Sequence, residues 1–432
     1  MGQLLDARPP AGGESGAMPL DPGPPLRPAL SSARLAAGGV AAVVCLAGLV
    51  ACVPPARTAP GPGGDLLVAN SLEDTVHRLD PVTGQARGAP LPVPGSPRQL
   101  APAPAGSALV LSQAPDRGCR LTHLVPPDAP GRAWAARPLL ALPAPETCTH
   151  ALLAGDGRRY AVVGIPVALE VPGPGGPQPA TAPPAPACRL LVLDLTAPGG
   201  PTGRPAREVA PCPPGAALTA LAASDGPEGP LLHVGLWRGP GPGRPGGQGE
   251  VLALDPATGA VLARAELAGA PERLVAAPAP GRAGRRLYAV EGSPGPGERN
   301  PGLVAGPPTR WRLLALEPVA LTVTPVAPLD ADGEDGPPPV AVAPDGARVV
   351  VLLRAAGRRT ALIPLDAATG ATGRAVSLPG EALGGLVLSA ERVYVPDVLG
   401  HGVWVVDHRQ GRLLDKVPAG RGPLAITRSP PS

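Results

Sequence analysis

From Arg392 onward the chain runs through four short apolar stretches: Val393-Tyr394-Val395-Pro396-Asp397, Val403-Trp404-Val405-Val406-Asp407, Leu413 to Gly420, and Pro423-Leu424-Ala425-Ile426-Thr427. Each is about five residues long, rich in β-branched or aromatic side chains, and bounded by Gly, Pro or Asp, which is the signature of a strand. The turn after the second stretch recurs. Asp80-Pro-Val-Thr-Gly84, Asp255-Pro-Ala-Thr-Gly259 and Asp366-Ala-Ala-Thr-Gly370 share one form, and Asp407-His-Arg-Gln-Gly411 is a looser copy. The Asp carboxylate can accept backbone N–H groups within such a turn, and the Gly supplies the positive φ that starts the next strand. Four strands joined by tight turns are therefore the unit from which this chain is built.

Call the strands of a unit a, b, c and d, with a following a Gly-x-Pro type of sequence. Strand b candidates begin near Asp65, Ser107, Arg159, Leu231, Arg286, Arg348 and Arg392; strand a candidates begin near Pro97, Thr149, Leu218, Pro271, Val340, Gly385 and Pro423. The Asp residues closing strand c, at 80, 194, 255, 366 and 407, are separated by 114, 61, 111 and 41 positions. Counting the two long gaps as two units each gives a period of roughly 40 to 60, the propeller period. The first unit lacks a strand a and the last carries an extra one. The reading is all-β: a seven-bladed β-propeller with four-stranded blades over residues 65–428, its ring closed when the C-terminal strand pairs with the N-terminal blade.

Leu67-Val68-Ala69-Asn70, Thr75-Val76, Leu79-Asp80-Pro81, Thr83-Gly84 and Pro423-Leu424-Ala425-Ile426 resemble the YVTN-type β-propeller repeat family, and Val340 to Gly346 and Val393 to Asp397 fit the same pattern. The resemblance implies the fold. These repeats are scaffold, so it implies little about function.

Pro (67) and Gly (59) make up about 29% of the 432 residues, a level that without a period would point to disorder. With the period, and with 44% apolar residues, it points to a folded core with Pro/Gly-rich loops. Phe is absent and Lys416 is the single lysine, which looks like a coding bias toward Arg. The net charge is only +3 and no basic stripe carries stacking aromatics, which disfavours nucleic-acid binding.

Before the propeller, Leu35 to Val53 contains no charge and ends in Leu49-Val50-Ala51-Cys52. That tetrapeptide resembles the lipobox of bacterial lipoproteins, in which small residues precede a Cys that takes a diacylglyceryl group and becomes the new N-terminus. Residues 1–52 are thus expected to be a lipoprotein signal peptide with Cys52 lipidated, and 53–64 a Pro/Gly-rich tether. An uncleaved single span and ordinary signal cleavage are the alternatives. All three place the propeller outside the cytoplasm, because Arg8, Arg27 and Arg34 precede the run. A start at Met18 gives a signal of more usual length.

Four further cysteines follow. Cys119 and Cys188 each open a strand c, and Cys148 and Cys212 each lie just before a strand a. In an up-down blade the b–c loop and the d–a connection share a face, so the pairs Cys119–Cys148 and Cys188–Cys212 are expected as disulfides, which an exported protein permits. A zinc site is the weaker alternative, since no CxxC pair occurs.

The long insertions Ile165 to Ala187, Gly239 to Gly249 and Gly292 to Arg310 all fall between a strand b and a strand c, and so project from that same face, with the acidic connection Asp330 to Gly336. They are either binding loops on a rigid scaffold or solubilising insertions. Residues at the start of strand a, namely Arg98, His150, Glu272, Arg273 and Arg421, are expected to ring the channel mouth there and could hold an anionic small molecule; the plainer reading is a solvated rim. Asp330-Ala-Asp332-Gly-Glu334-Asp335-Gly336 is a loose match to a calcium loop, but Asp335 stands where such a loop has Gly, and no metal is assigned. His77, His123, His233, His401 and His408 occur singly and read as ordinary strand or turn residues. No nucleophile elbow, metalloprotease, phosphate-loop or haem motif is present, so no catalytic residue and no cofactor is assigned. The expectation is a monomeric, membrane-tethered binding module for an unknown small molecule or envelope protein, with a lactonase-type hydrolase at the channel mouth as the alternative.

Overall fold

A computed structural model describes residues 64–429 except 116–117, 128–132, 143–150, 157–158, 167–187, 197–206, 215, 227, 240–246, 279–284, 294–309, 330–336, 356–358 and 381–384. Residues 1–63 lie outside it, and with them the signal segment, Cys52 and nearly all of the tether.

The described residues form seven four-stranded antiparallel sheets. Blade 1 is built from both ends of the chain: strand a is Pro423–Arg428, b is Leu66–Asn70, c is Thr75–Leu79 and d is Leu91–Pro92. The innermost strands of blades 2 to 7 are Ser96–Pro102, Leu152–Gly155, Ala216–Gly226, Ala270–Pro278, Val340–Val342 and Val387–Leu388. Each contacts the innermost strand of the next blade, and the last returns to Pro423–Arg428, so the ring is closed. Closure runs through five backbone pairs, from Leu66↔Arg428 to Asn70↔Pro423. No helix occurs among the described residues, so none there could cross a membrane.

Strand b reads as a continuous apolar run because both of its faces are buried between blades. In blade 1, Leu66 and Val68 pack with Tyr394, Val403 and Ile426 toward blade 7, while Leu67 and Ala69 pack with Ala108, Val110 and Leu124 toward blade 2. The core is accordingly a set of wedges between neighbouring blades.

The recurrent turn works as its sequence implies. Asp80 Oδ1 accepts the N–H groups of Val82 (2.7 Å) and Thr83 (2.9 Å), and Asp366 and Asp407 accept the corresponding pairs. Gly84, Gly259, Gly370 and Gly411 all have φ between 63° and 76°. These glycines are needed for space as well. A Cβ on Gly84 would lie 2.7 Å from Val417, and one on Gly259 would lie 2.9 Å from Val209, both on the outermost strand of the preceding blade. The turn therefore docks each blade onto its neighbour.

Cys188, at the start of strand c of blade 3, is disulfide-bonded to Cys212, in the connection to blade 4, with Cα atoms 5.5 Å apart. Cys119 is also disulfide-bonded; its expected partner, Cys148, lies outside the described residues. The Cys188–Cys212 bond closes a loop of 24 residues, which on the chain-entropy model contributes about 3 kcal/mol. The double variant Cys188→Ser/Cys212→Ser is therefore expected to unfold at a lower denaturant midpoint in a urea titration, with a somewhat steeper slope because the chain without the bond exposes more surface when unfolded. An unchanged midpoint would show that the bond contributes nothing.

Candidate binding face

The b–c loops and d–a connections emerge on one face, called here the mouth face. The insertions predicted for it do arise there: 167–187, 240–246 and 294–309 each join strand b to strand c, in blades 3, 4 and 5. Their interiors, and Asp330 to Gly336, lie outside the described residues.

At this face the innermost strands carry a repeated β-bulge. The register slips between Pro97 and Gln99, Leu218 and Ala220, Pro271 and Arg273, and, in the closing strand, around Leu424. The extra residues are thus Arg98, Thr219, Glu272 and Leu424, at equivalent places in four blades. A bulge leaves one residue out of the ladder and re-aims its side chain. The residue beside the bulge fastens its blade to the next. Gln99 donates to the Ala151 carbonyl (2.8 Å) and accepts from the Leu153 N–H (2.8 Å); Arg273 Nε donates to the Pro337 carbonyl (3.2 Å). In blade 4 the bulged Thr219 does this itself, donating to the Pro271 carbonyl at 2.7 Å.

Of the five rim residues expected from sequence, Arg98 is exposed and donates to the neutral Gln113 amide oxygen at 2.9 Å. Glu272 and Arg273 are half-buried neighbours. Burial pushes the Glu272 carboxyl above its ordinary value, against the opposing pull of Arg273, and burial lowers Arg273, against the pull of Glu272. Arg421 is exposed between Gly420 and Gly422, both at positive φ. His150 lies outside the described residues. Arg98 bonds to a neutral group and so keeps its charge for an anion, whereas the charge of Arg273 is partly met by Glu272 beside it.

Beneath the rim runs a row of buried polar side chains at the ends of strand b, which sequence reading missed. Asn70 is 0% exposed, Glu291 1% and Asp397 3%. Glu291 meets Arg312 Nη2 at 2.5 Å and accepts the Gly269 N–H at 2.6 Å. Asp397 meets Lys416 Nζ at 2.7 Å and accepts the Gly400 N–H at 2.9 Å, while the Lys416 ammonium lies 4.6 Å from the Trp404 ring centre. The single lysine of the chain is thus a structural counter-charge. Among the described residues no group of three or more His, Cys, Asp and Glu side chains gathers as metal ligands.

No protein-family model matches the chain, and no curated protein matches it in sequence. Solved structures do match. A protein from Bacteroides fragilis provisionally assigned as a 6-phosphogluconolactonase is 12% identical with a TM-score of 0.55, covering 86% of this chain and 99% of its own. A similarly assigned protein from Bacteroides uniformis is 14% identical with a TM-score of 0.51, covering 85% and 99%. Kuenenia stuttgartiensis hydrazine synthase is 16% identical with a TM-score of 0.52, covering 80% and 93%. At these identities the likeness concerns fold. The class is that of the seven-bladed β-propellers.

Proposed function

We propose that the chain is an extracytoplasmic lipoprotein, anchored through Cys52, whose propeller binds an anionic small molecule or an envelope partner at the mouth face. The observation that carries the binding reading is the repeated bulge, which turns Arg98 and Glu272 out of the ladder at the rim where Arg273 and Arg421 also lie. The disulfide on that face supports an oxidising compartment. A thermal-shift screen with sugar phosphates and dicarboxylates tests the binding. A ligand that stabilises the wild type is expected to lose at least tenfold in affinity in an Arg98→Ala/Arg273→Ala/Arg421→Ala variant. Equal affinity in that variant would refute an anion site at the rim.

A lactonase-type hydrolase at the same mouth is the second reading, favoured by Glu272, because a half-buried carboxyl with a raised pKa suits proton transfer. The fold likeness to the two Bacteroides proteins adds nothing specific, since propellers host many functions. Lactone turnover that disappears in Glu272→Gln would establish it.

A further inference from the structure

We infer that blade 1 holds a divalent first-row metal ion, of the zinc type, among Glu73, His77 and Asn70, beside the glycine at which the ring closes. The end of strand b is one repeated position. Glu291 pairs with Pro271 on strand a and with Arg312 on strand c, and Asn70 pairs correspondingly with Pro423 and Thr75. In blades 5 and 7 the charge at this buried position is met by a basic side chain of its own blade, Arg312 or Lys416. In blade 1 the strand c residue is Thr75, and His77 stands where blade 7 has Trp404.

Both amide atoms of Asn70, the Thr75 hydroxyl and His77 Nε2 are buried, and each lacks a hydrogen-bond partner. Leaving one such group unsatisfied costs roughly 1–3 kcal/mol, so four together call for a ligand. Asn70 and His77 converge with Glu73. A Cβ built on Gly420 would lie 2.7 Å from Asn70 Nδ2, 2.8 Å from Glu73 Oε2 and 2.8 Å from His77 Nε2. Because neither amide atom of Asn70 is bonded, a flip that turns its oxygen inward breaks nothing.

The spacing favours an ion over a water. Glu73 Oε2 and His77 Nε2 are 3.7 Å apart, too far to hydrogen-bond to each other. Two ligands at bond lengths of about 2.0–2.1 Å span that separation at an angle of roughly 130°, and a shift of a few tenths of an ångström closes it to tetrahedral. An imidazole, a carboxylate and neutral oxygens form a set suited to zinc, cobalt or nickel. Glu73 and His77 side chains retain 31% and 16% exposure, which leaves a path for the ion.

Equilibrium dialysis of the mature full protein against Zn2+, followed by Co2+ substitution, tests this. One zinc per chain is expected, and the cobalt form should show d–d bands without a thiolate charge-transfer band. Glu73→Gln and His77→Gln should each weaken zinc at least tenfold without lowering Tm, while Glu266→Gln, an exposed carboxylate on blade 4, should leave binding unchanged. Gly420→Ala, which places a methyl group among the donors, should abolish binding; because its backbone is strained at φ 86°, it counts only if circular dichroism shows it folded, and the other two variants carry the test without it. No zinc uptake by the wild type, as when water satisfies these atoms, overturns the inference. So does zinc that survives both Glu73→Gln and His77→Gln, or a thiolate band in the cobalt form.

Discussion

A full chain ending at Gly422 is expected not to fold. The deletion removes strand a of blade 1, and with it the five backbone pairs to Leu66–Asn70. Each hydrogen bond across those pairs contributes about 1 kcal/mol net. It also removes Ile426, 7% exposed, from the wedge it shares with Leu66, Val68 and Tyr394, which adds about 2–3 kcal/mol. The loss is on the order of 5–10 kcal/mol, comparable to the whole stability of a typical domain. Leu66 to Ala69, fully buried in the intact ring, would become an open apolar edge prone to pairing with other chains. Part of the seam survives. The Tyr394 hydroxyl donates to the Pro81 carbonyl, and Arg392 to the Val82 carbonyl, joining blade 7 to the first turn without the closing strand. If those contacts sufficed, the truncated chain would give a monomeric peak on size exclusion and a native β spectrum, and closure would not be what holds the ring. The milder Ile426→Ala change should keep the fold and cost about 2–4 kcal/mol in a urea titration.

The second large effect is of pH. His233 is 0% exposed and shares a 2.8 Å hydrogen bond between Nε2 and the Ser224 hydroxyl; burial holds its pKa at about 4. His123 makes the same contact with Ser107 at 2.8 Å and is also pushed down to about 4, by burial and then by Arg137. Unfolded, both titrate near 6.5. Between those values the unfolded chain binds more protons, so stability rises with pH there. It is complete above about 6.5 and falls as the pH drops toward 4. Over that window His233 alone accounts for about 3 kcal/mol, and His123, which solvent screens more, for somewhat less. His408 is lowered by burial in the same direction. Below about 4 the turn carboxylates Asp80, Asp255 and Asp366, all depressed, add their own loss. Melting temperature measured from pH 7.5 to 4 should decline steadily from about pH 6.5, with a shallower decline in His233→Gln. A flat profile down to pH 4.5 would contradict it.

The ring was legible because its signals are local. A turn that needs Asp for two N–H groups and Gly for both φ and space leaves the same letters wherever it occurs. Where other residues meet those needs, the signal fades. In blade 5 Glu317 accepts the Val319 N–H at 3.0 Å, and Leu321 takes the positive φ, 54°. That turn was invisible to a pattern of Asp and Gly, and it accounts for the 111-residue gap after Asp255. The rim arginines could be placed because strand a begins at the mouth. The bulges could not, since they depend on how two strands slide past each other. The polar cluster around Asn70 was missed because His77 reads alone in sequence. Aligning blade 1 with blade 7, Asn70 on Asp397 and His77 on Trp404, is the signal that would have raised it.

Binding at the mouth face outside the cytoplasm requires the chain to reach an oxidising compartment on a lipid anchor, and intact mass spectrometry of protein purified from the membranes that produce it tests this most directly. The expected result is an N-terminus at Cys52 carrying a diacylglyceryl mass, with Cys119, Cys148, Cys188 and Cys212 all oxidised. An unmodified N-terminus at Met1 or Met18, with free thiols at those four positions, would contradict it.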